Sequence, residues 1–499
     1  MIERHKGRET MNQTVKLILG YICFVVFTCG IMLVGALAEK KIKSEDNRLI
    51  CRKLTHIVSS LLWIICWYFF GCSLHWVILN GVGALTLGII TFTNKMKTFY
   101  GEDAKKSYGI FYFSLSTFVV ALVCYLIGPE VYYFTGIAYY CLALGDGFAP
   151  ITAKLTKKFN PQIMPGKSLL GSLTVFVISF VATLVFSIIF KMQLDLLFIF
   201  SVASLTCIME FYGLKGIDNL LIEFSVFGYL LLYYFGYVSL VLKIVVLTSP
   251  VIALIAIGLK SLTVSGGICG MVLFYLIAFF SKGPVPVLSI TLLFVVATVI
   301  AFITQRILNK RSAKKPEKYA RSGRQLMAVG LVAVICLIID YFTKIQHFYL
   351  LYLLALTEQF ADSMASDIGR LTRGRNLDII RFKPVEKGVS GGVSLLGTVC
   401  ALVASVLLLL VPFLFHTITL WQYLLGAGIA FVGTLLDSVL GSLFQALYRC
   451  QVCGAATEMP THCDSPATRV KGFKWMGNTT VNLMTGVLTC GIGSLLLLV

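Results

Sequence analysis

Long apolar runs recur along this chain of 499 residues, and they limit its possible folds more than any other feature. The runs are roughly 17–25 residues long, which is the length that crosses about 30 Å of hydrocarbon as a helix. Hydrophobic residues make up 58% of the chain and charged residues only 13%, which excludes a soluble globular domain. The sequence has no alternating pattern of membrane strands, and lipid offers no partner to open backbone groups. It therefore predicts an all-α polytopic membrane protein.

The apolar runs predict about sixteen transmembrane helices in two consecutive bundles. We assign residues 15–240 to a first domain and residues 241–499 to a second, because different motifs occupy the two halves. The predicted spans begin near residues 15, 54, 74, 108, 131, 169, 194, 219, 240, 264, 285, 325, 347, 390, 418 and 479.

The net charge of +19 follows the membrane topology and does not indicate a nucleic-acid partner. Of the 42 Lys and Arg residues, 34 fall in alternate loops, all on one side of the membrane. The positive-inside rule makes that side cytoplasmic and places both termini outside. We expect a multi-pass protein of a bacterial inner membrane whose sites face the cytoplasm. The basic loops are 38–53, 94–107, 154–167, 213–218, 260, 306–324, 370–387 and 448–475.

The first candidate site is the stretch from Gly145-Asp146-Gly147 to Gly166-Lys167-Ser168. An acid at the end of one apolar run and a lysine among glycines before the next suit a phosphate-and-metal site built from backbone donors. The alternative is that the glycines and the acid only break and cap two helices.

A basic cluster precedes this stretch, at the cytoplasmic start of the second span. Arg52, Lys53 and His56 lie close together on one helical face, because their spacing is three and four residues. They form either a phosphate clamp or a positive-inside anchor with a snorkelling histidine.

Polar residues also occur late in the first half. Glu210 lies deep in an apolar run, where an ionisable group is expensive and marks a site by default. Asp218 and Asn219 begin the next span, where helix capping is an alternative role.

The order of these motifs resembles the phytol kinase / dolichol kinase family over about residues 15–240. The motifs are Arg-Lys-x-x-His, then Gly-Asp-Gly with Lys-Ser-x-x-Gly-Ser, then Glu followed by Asp-Asn-Leu. The resemblance implies transfer of the γ-phosphoryl group of a nucleoside triphosphate, commonly CTP, to the hydroxyl of a long isoprenoid alcohol. Asp146 would hold Mg²⁺, and Lys167 with Ser168 would contact the nucleotide phosphates. The remaining implied residues are Glu210, Asp218 and Asn219, for metal binding or activation of the alcohol, and Arg52, Lys53 and His56, for phosphate.

The second half carries more acids within its spans. Glu358, Asp362 and Ser366 share one helical stripe, and Asp367 lies near the same helix end. Two carboxylates inside a span are hard to explain by packing. Asp437 lies on a stripe of small residues that is otherwise typical of membrane-helix packing.

The loop that follows the first acidic helix is rich in basic and small residues. Lys383, Ser390, Gly391 and Gly392 offer either a phosphate cradle before a helix or a glycine hinge. Farther along, Asn478 and Asn482 enter the last span four residues apart.

These motifs resemble, over about residues 245–499, the phytyl-phosphate kinase family of integral membrane proteins, with Asp367 in place of an expected Glu. The resemblance implies addition of a second phosphate to an isoprenyl monophosphate, again from a nucleoside triphosphate. Asp362, Asp367 and Asp437 would then be metal or base groups, with Mg²⁺ on Asp362. The implied phosphate contacts are Lys383, Ser390, Gly391 and Gly392, and Asn478 and Asn482 would be polar partners in the site.

Ten of the fifteen cysteines lie in apolar runs, where cysteine behaves as a small hydrophobe. Cys450, Cys453 and Cys463 share a polar loop with His462, and the four soft ligands are those of a structural zinc site. Adjacent His462 and Cys463 ligate one ion only awkwardly, so the pattern favours a reduced loop without metal.

Together, the two halves predict a bifunctional membrane kinase that converts an isoprenoid alcohol to its monophosphate and then to the diphosphate. Its partners would be the alcohol and its phosphate, Mg²⁺ with CTP or another nucleoside triphosphate, and the lipid bilayer. One alternative is a cytidylyltransferase that forms a CDP-lipid, since it is related to the first family. Another is a secondary transporter, because intramembrane acids and glycine-broken helices also build ion sites.

Overall fold

The computed structural model describes residues 2–496, except 43, 93–107, 157–159, 161, 165–166, 214–215, 312–319, 373, 375, 386–388 and 464. The basic loop 94–107 and parts of the basic loops 154–167, 213–218, 306–324 and 370–387 lie outside these residues. The chain divides into two compact units, Met1–Leu247 and Thr248–Val499. The boundary falls inside a helix, and each unit is described by itself.

The first unit is a bundle of helices. They are α1 (Ile2–Lys41), α2 (Glu45–Ser59), α3 (Leu61–Phe69), α4 (Leu74–Phe92), α5 (Gly109–Ile127), α6 (Tyr132–Tyr140), α7 (Gly147–Leu155), α8 (Leu169–Ile189), α9 (Leu196–Tyr212) and α10 (Asp218–Tyr234), followed by α11 (Leu240–Gly258), which crosses the unit boundary. Two short strands, β1 (Gln162–Met164) and β2 (Lys167–Ser168), pair antiparallel before α8.

A break between α6 and α7 interrupts what the sequence predicts as one span. The intervening segment Cys141–Asp146 is a wide π turn, a form that is frequent at functional sites. It carries Asp146 into the interior, where only 3% of the residue is exposed. Gly147 follows, and a Cβ there would clash with the Ile57 side chain, so glycine lets α2 and α7 approach closely at this point.

The second unit combines long helices with two small sheets. The helices are α12 (Val264–Phe280), α13 (Val285–Arg311), α14 (Gly323–Thr343), α15 (Gln346–Gly369), α16 (Leu395–Leu414), α17 (Leu420–Phe444) and α18 (Asn478–Leu496). The strands are β3 (Asn376–Asp378), β4 (Pro384–Val385), β5 (Gly392–Val393), β6 (Leu447–Cys450), β7 (Ala456–Thr457), β8 (Thr461–His462) and β9 (Ser465–Lys471).

Both sheets are antiparallel and lie between helices in the sequence. The first has the strand order β4-β3-β5 and connects α15 to α16. The second has the order β7-β6-β9-β8 and connects α17 to α18. Each sheet therefore holds a long inter-helix connection in a fixed shape.

The predicted all-α polytopic membrane fold is confirmed. Within the described residues, eleven helices are long and apolar enough to cross a membrane, fewer than the sixteen predicted spans. A helix begins near each of the remaining predicted starts, but α9, α10 and α12 have only 17 residues, α6–α7 is interrupted, and α15 carries three acids. Large apolar side chains on these helices point outward, such as Leu126 and Leu85, which are 73% and 67% exposed, as expected of a surface that faces lipid.

Candidate functional sites

The first site begins with an ion pair between the basic helix α2 and the broken helix. Lys53 Nζ donates a hydrogen bond to Asp146 Oδ2 at 2.5 Å. The pair lies largely out of water, since the lysine side chain is 20% exposed and the aspartate side chain 4%. His56, one helical turn farther along α2, lies within electrostatic reach of both residues. The sequence-predicted basic face therefore meets the predicted acid directly.

A second lysine joins two more acids to the same cluster. Lys167, in β2, donates a hydrogen bond to Glu210 of α9, and its Nζ lies 3.8 Å from Oδ2 of Asp218. Asp146 lies within electrostatic reach of Lys167, and Asp218 within reach of Asp146 and Lys53. Thus three carboxylates and two lysines, from five separate segments of the unit, converge on one place. We call this set (Lys53, Asp146, Lys167, Glu210, Asp218) the first acid cluster.

The first acid cluster suits a hard cation bound together with phosphate. It carries one more carboxylate than it has lysines, and carboxylate oxygens are the ligands that Mg²⁺ prefers. Oε2 of Glu210 finds no hydrogen-bond partner within the described residues, although the glutamate is only 4% exposed. A buried oxygen of this kind normally has a partner, and a bound cation would supply one.

Two other predicted residues have structural roles here. The Ser168 hydroxyl caps α8, since it accepts hydrogen bonds from the Gly171 N–H at 3.3 Å and from Asn160 Nδ2 at 2.9 Å. Asn219 donates from Nδ2 to the Gly109 carbonyl at 2.7 Å, which ties α10 to the start of α5. Ser168 therefore caps a helix and Asn219 makes an inter-helix contact, and a further contact of either residue with phosphate stays a prediction.

A cavity of about 450 Å³ opens beside the first acid cluster. Its polar end is lined by Arg52, Lys53, His56 and Asn219, and its far end by aromatic and aliphatic side chains that include Trp63 and Cys66. From Arg52 to Cys66 the lining helices α2 and α3 rise by about 20 Å. The cavity is therefore long, apolar over most of its length and charged at one end.

One acid of this cavity escaped sequence reasoning. Glu223 lines the wall of the cavity and is 1% exposed. Its Oε2 accepts a hydrogen bond from the Ser116 hydroxyl at 2.5 Å, between α10 and α5. The rule that drew attention to Glu210, an acid inside an apolar helix, would have found Glu223 as well.

The second site lies among α15, α17 and α18 of the second unit. Glu358, Asp362 and Asp437 each lie within electrostatic reach of the other two. Glu358 is fully buried and accepts a hydrogen bond from Gln359 Nε2 at 2.7 Å, while its Oε1 has no partner among the described residues. Thr485 donates to Asp437 Oδ2 at 3.2 Å. We call Glu358, Asp362 and Asp437 the second acid cluster.

Asp367 and Asn482 lie at the border of the second acid cluster. Asp367 accepts a hydrogen bond from Arg321 Nη2 at 3.1 Å, and Arg321 also lies within electrostatic reach of Asp362. Asn482 donates from Nδ2 to Gln359 Oε1 at 3.3 Å, and its backbone carbonyl accepts from Gln359 at 3.0 Å. The structure thus joins these predicted residues to the acids through Arg321 and Gln359, which sequence reasoning did not select.

The glycine-rich loop is packed tightly against the end of α17. Gly391 has a φ of +84°, and a Cβ there would lie 2.6 Å from the Ser442 Cα, so only glycine fits. The Ser390 hydroxyl donates to Gln445 Oε1 at 2.7 Å, and Gly392 belongs to β5. These contacts explain the glycines by packing, and the proposed phosphate cradle stays a prediction.

A buried carboxylate holds the same loop in place. Both oxygens of Asp378 accept from the Ser442 hydroxyl at 2.8 Å, and Oδ1 also accepts from the N–H groups of Arg381 and Ile380. Burial opposes ionisation of Asp378, but these donors outweigh it and hold the pKa of the carboxyl below its ordinary value. Asp378 is therefore a structural anion of the loop.

Glu458, in the connection between β7 and β8, reaches the second site from the larger sheet. It lies within electrostatic reach of Arg370 and Asp362 and interacts with Gln445 and the Ser390 backbone. Burial raises the pKa of its carboxyl. By contrast, the side chains of Lys383 and Asn478 are exposed, and no ion pair within the described residues includes Lys383. Sequence reasoning missed Glu458 because an acid in a polar loop gives no signal.

The cysteines of the larger sheet come together with one histidine. The ligand atoms of Cys450, Cys453, His462 and Cys463 all lie within 4.8 Å of one another. The adjacent residues His462 and Cys463 therefore bring their ligand atoms close together, although their spacing in the sequence made a shared ion look awkward.

The sequence of the second unit is similar to that of a family of membrane proteins. Residues 247–490 match the family model "Integral membrane protein DUF92". This match and the apolar helices make the chain a multi-pass integral membrane protein. The DUF92 match covers the half whose motifs resemble the phytyl-phosphate kinase family, and it describes a membrane family without an activity.

Two curated proteins are similar to parts of the chain. Uncharacterized membrane protein MJ0933 of Methanocaldococcus jannaschii is 28% identical over 149 residues, which are 30% of this chain and 61% of the relative. Protein PGR of Arabidopsis thaliana is 30% identical over 145 residues, 27% of this chain and 49% of that protein. The chain therefore spans about half to three fifths of the curated relatives it matches. No solved structure matches the chain.

Proposed function

We propose that the first unit is a phosphotransferase that phosphorylates a long-chain isoprenoid alcohol with a magnesium–nucleoside triphosphate, such as CTP. One observation carries this proposal. A long apolar cavity ends at Lys53, and Lys53 is paired with Asp146 of the first acid cluster. An apolar chain with a single polar end fits the cavity, and a charged phosphate donor with its metal fits the first acid cluster.

Phosphoryl transfer requires the protein mainly to position the reactants and to neutralise charge. The alcohol oxygen would form a bond to the γ-phosphorus while the bond from that phosphorus to the bridging oxygen breaks, and nucleoside diphosphate leaves. The alcohol proton would pass to a carboxylate of the first acid cluster. Lys53, Lys167 and Arg52 would stabilise the charge on the phosphoryl oxygens. Bound magnesium would neutralise further charge there, with Asp146 and Glu210 as its ligands.

For the second unit we propose transfer of a second phosphoryl group, to the isoprenyl monophosphate. The second acid cluster offers buried carboxylates for a cation, with an unpartnered oxygen on Glu358. Arg321 lies within electrostatic reach of Asp362, and Arg370 within reach of Glu458, and both would attract phosphate. The basic loops favour a cytoplasmic opening for both sites, in a bacterial inner membrane.

A labelling assay tests the proposal and separates it from its rivals. The full chain in lipid nanodiscs receives geranylgeraniol, Mg²⁺ and CTP labelled at either the γ- or the α-phosphorus. We expect γ-label, and no α-label, in a lipid monophosphate and then in a diphosphate. Lipid labelled from the α-position would identify a cytidylyltransferase instead. If no alcohol and no nucleotide gave a labelled lipid, both the kinase and the cytidylyltransferase would be refuted, and transport would be favoured.

Matched variants assign the two steps to the two sites. Asp146→Asn should lower alcohol phosphorylation by on the order of 100-fold or more and spare monophosphate phosphorylation, because it removes a carboxylate ligand of the magnesium that would neutralise the developing charge. Asp362→Asn should do the reverse. Asp195→Asn is the control, since Asp195 also pairs with a lysine, Lys243, but caps α9 away from the cavity, and asparagine caps equally well. Loss of both activities from either site variant, in folded protein, would refute the two-site assignment.

A further inference from the structure

The four-ligand cluster of the larger sheet is built by two turns that face each other. Cys450 ends β6 and Cys453 follows in the turn to β7, while His462 ends β8 and Cys463 follows in the turn to β9. His462 Nδ1 lies 3.5 Å from the Cys453 sulfur and 3.3 Å from the Cys463 sulfur. Strands β6 and β9 pair directly, so the sheet itself holds the two turns side by side.

The backbone removes the sequence objection to adjacent ligands. Neighbouring side chains in a strand point to opposite faces. Cys463, however, has a φ of +52°, a left-handed conformation that few non-glycine residues adopt. This conformation ends the strand and lets the Cys463 sulfur turn back toward His462.

The first turn, between β6 and β7, is closed by backbone hydrogen bonds. The Gly454 N–H donates to the Cys450 carbonyl at 3.0 Å, and the Cys450 N–H donates to Ala455 at 2.9 Å, which closes the turn. Gly454 has a φ of +70°. These backbone contacts fix the turn that carries both Cys450 and Cys453.

We propose that Cys450, Cys453, His462 and Cys463 bind a structural Zn²⁺ ion. Ligands at the usual Zn–S and Zn–N lengths, arranged as a tetrahedron, would place sulfur about 3.6 Å from nitrogen and sulfurs about 3.8 Å apart. The observed sulfur–nitrogen distances of 3.5 and 3.3 Å and the limit of 4.8 Å for all ligand atoms fit this geometry. Three thiolates favour zinc over magnesium or calcium, and four protein ligands make the site structural rather than catalytic.

The metal would fasten together the two hairpins that carry Glu458. Glu458 lies between β7 and β8, one hairpin on each side, and it reaches Arg370 and Asp362 of the second site. Loss of the ion would therefore loosen the connection from α17 to α18. This inference does not depend on the proposed function, because it concerns the metal alone.

Metal analysis of the purified full chain tests the assignment. The protein is isolated in detergent without chelator, and its zinc, iron, copper and nickel are measured by mass spectrometry. We expect about one zinc per chain, and a loss of roughly ten-fold or more in Cys453→Ser and Cys463→Ser. Cys29→Ser, on an exposed cysteine of α1, is the control and should keep the metal.

Two further measurements keep the test decisive if a variant does not fold. Displacement of the ion from the wild-type chain with a mercurial should release one equivalent of zinc, detected with a chromogenic chelator. Cobalt added to the metal-stripped chain should give the visible absorption of tetrahedral thiolate coordination. Protein without zinc, an intact mass two hydrogens lighter because of a disulfide, or iron with acid-labile sulfide would each overturn the zinc assignment.

Discussion

The buried pair of Lys53 and Asp146 gives the sharpest test of whether the first acid cluster exists for function or for stability. Lys53→Met keeps the length of the side chain and leaves the Asp146 carboxylate buried without its hydrogen-bond donor. Breaking a buried pair from one side costs about 3–5 kcal/mol. We expect the lower end, about 3 kcal/mol, because Lys53 is 20% exposed and Lys167 remains near Asp146.

In a unit of this size, that loss corresponds to a fall in Tm of roughly 6–12 °C. The double variant Lys53→Met/Asp146→Asn removes both charges and should regain most of the loss, to within about 1 kcal/mol of wild type, since neutral replacements of buried pairs are well tolerated. Phosphorylation of the alcohol should stay lost in both variants. If the pair serves the reaction, the double variant therefore regains stability but not activity.

The assay is thermal unfolding in one detergent by intrinsic fluorescence, with phosphorylation measured on the same preparations. Lys243→Met is the matched control, because Lys243 pairs with a half-exposed Asp195, and a pair of that kind is worth less than about 1 kcal/mol. If the double variant lost the sum of the two single losses, the two groups would not be coupled. If it kept its activity, the pair would have no part in the reaction.

Three more predictions follow from particular contacts. Cys66→Phe fills the apolar end of the cavity, so alcohols with long chains should lose turnover while short ones keep it. The assay is a competition among geraniol, farnesol and geranylgeraniol, and an equal loss for all three would contradict the position of the alcohol chain in the cavity. Gly391→Ala should destabilise the second unit by at least about 1–2 kcal/mol in a thermal melt, whereas Gly283→Ala, with open space around it, should not; equal melts would contradict the packing argument. The pKa of Asp378 is lowered in the fold, so its contribution to the free energy of unfolding is complete above about pH 5 and is lost as the pH falls through the lowered value. Ser442→Ala should therefore cost stability at pH 7 and progressively less below about pH 4. A cost independent of pH would refute this role.

Much of the site could be predicted from the cost of placing charge in lipid. That cost gave Glu210, Asp362 and Asp437, and the structure brings each of them to other charged groups. It also applies to Glu223, which was missed although its surroundings in the sequence are as apolar as those of Glu210. Residues in polar loops carry no such signal, so Asp378 and Glu458 become visible only through tertiary contacts.

The local backbone could not be predicted in the same way. Gly-Asp-Gly indicated a break in the helix but not the π turn that carries Asp146 inward. The spacing of His462 and Cys463 argued against a shared ion, because sequence alone does not give the positive φ of Cys463. Among the described residues, eleven of the sixteen predicted spans are helices long and apolar enough to cross a membrane, because a helix of 17 residues and a longer one leave similar apolar runs.

The position of the cavity has a consequence for how its occupant would be supplied. Helix α1 forms part of the cavity wall through Phe24 and Ile31, and the opposite face of the same helix exposes apolar side chains such as Val26 and Val34. A ligand that reaches the cavity past this helix comes from the bilayer, and its effective concentration is its mole fraction among the lipids. Added inert lipid or detergent should therefore slow the reaction at constant bulk concentrations, by surface dilution.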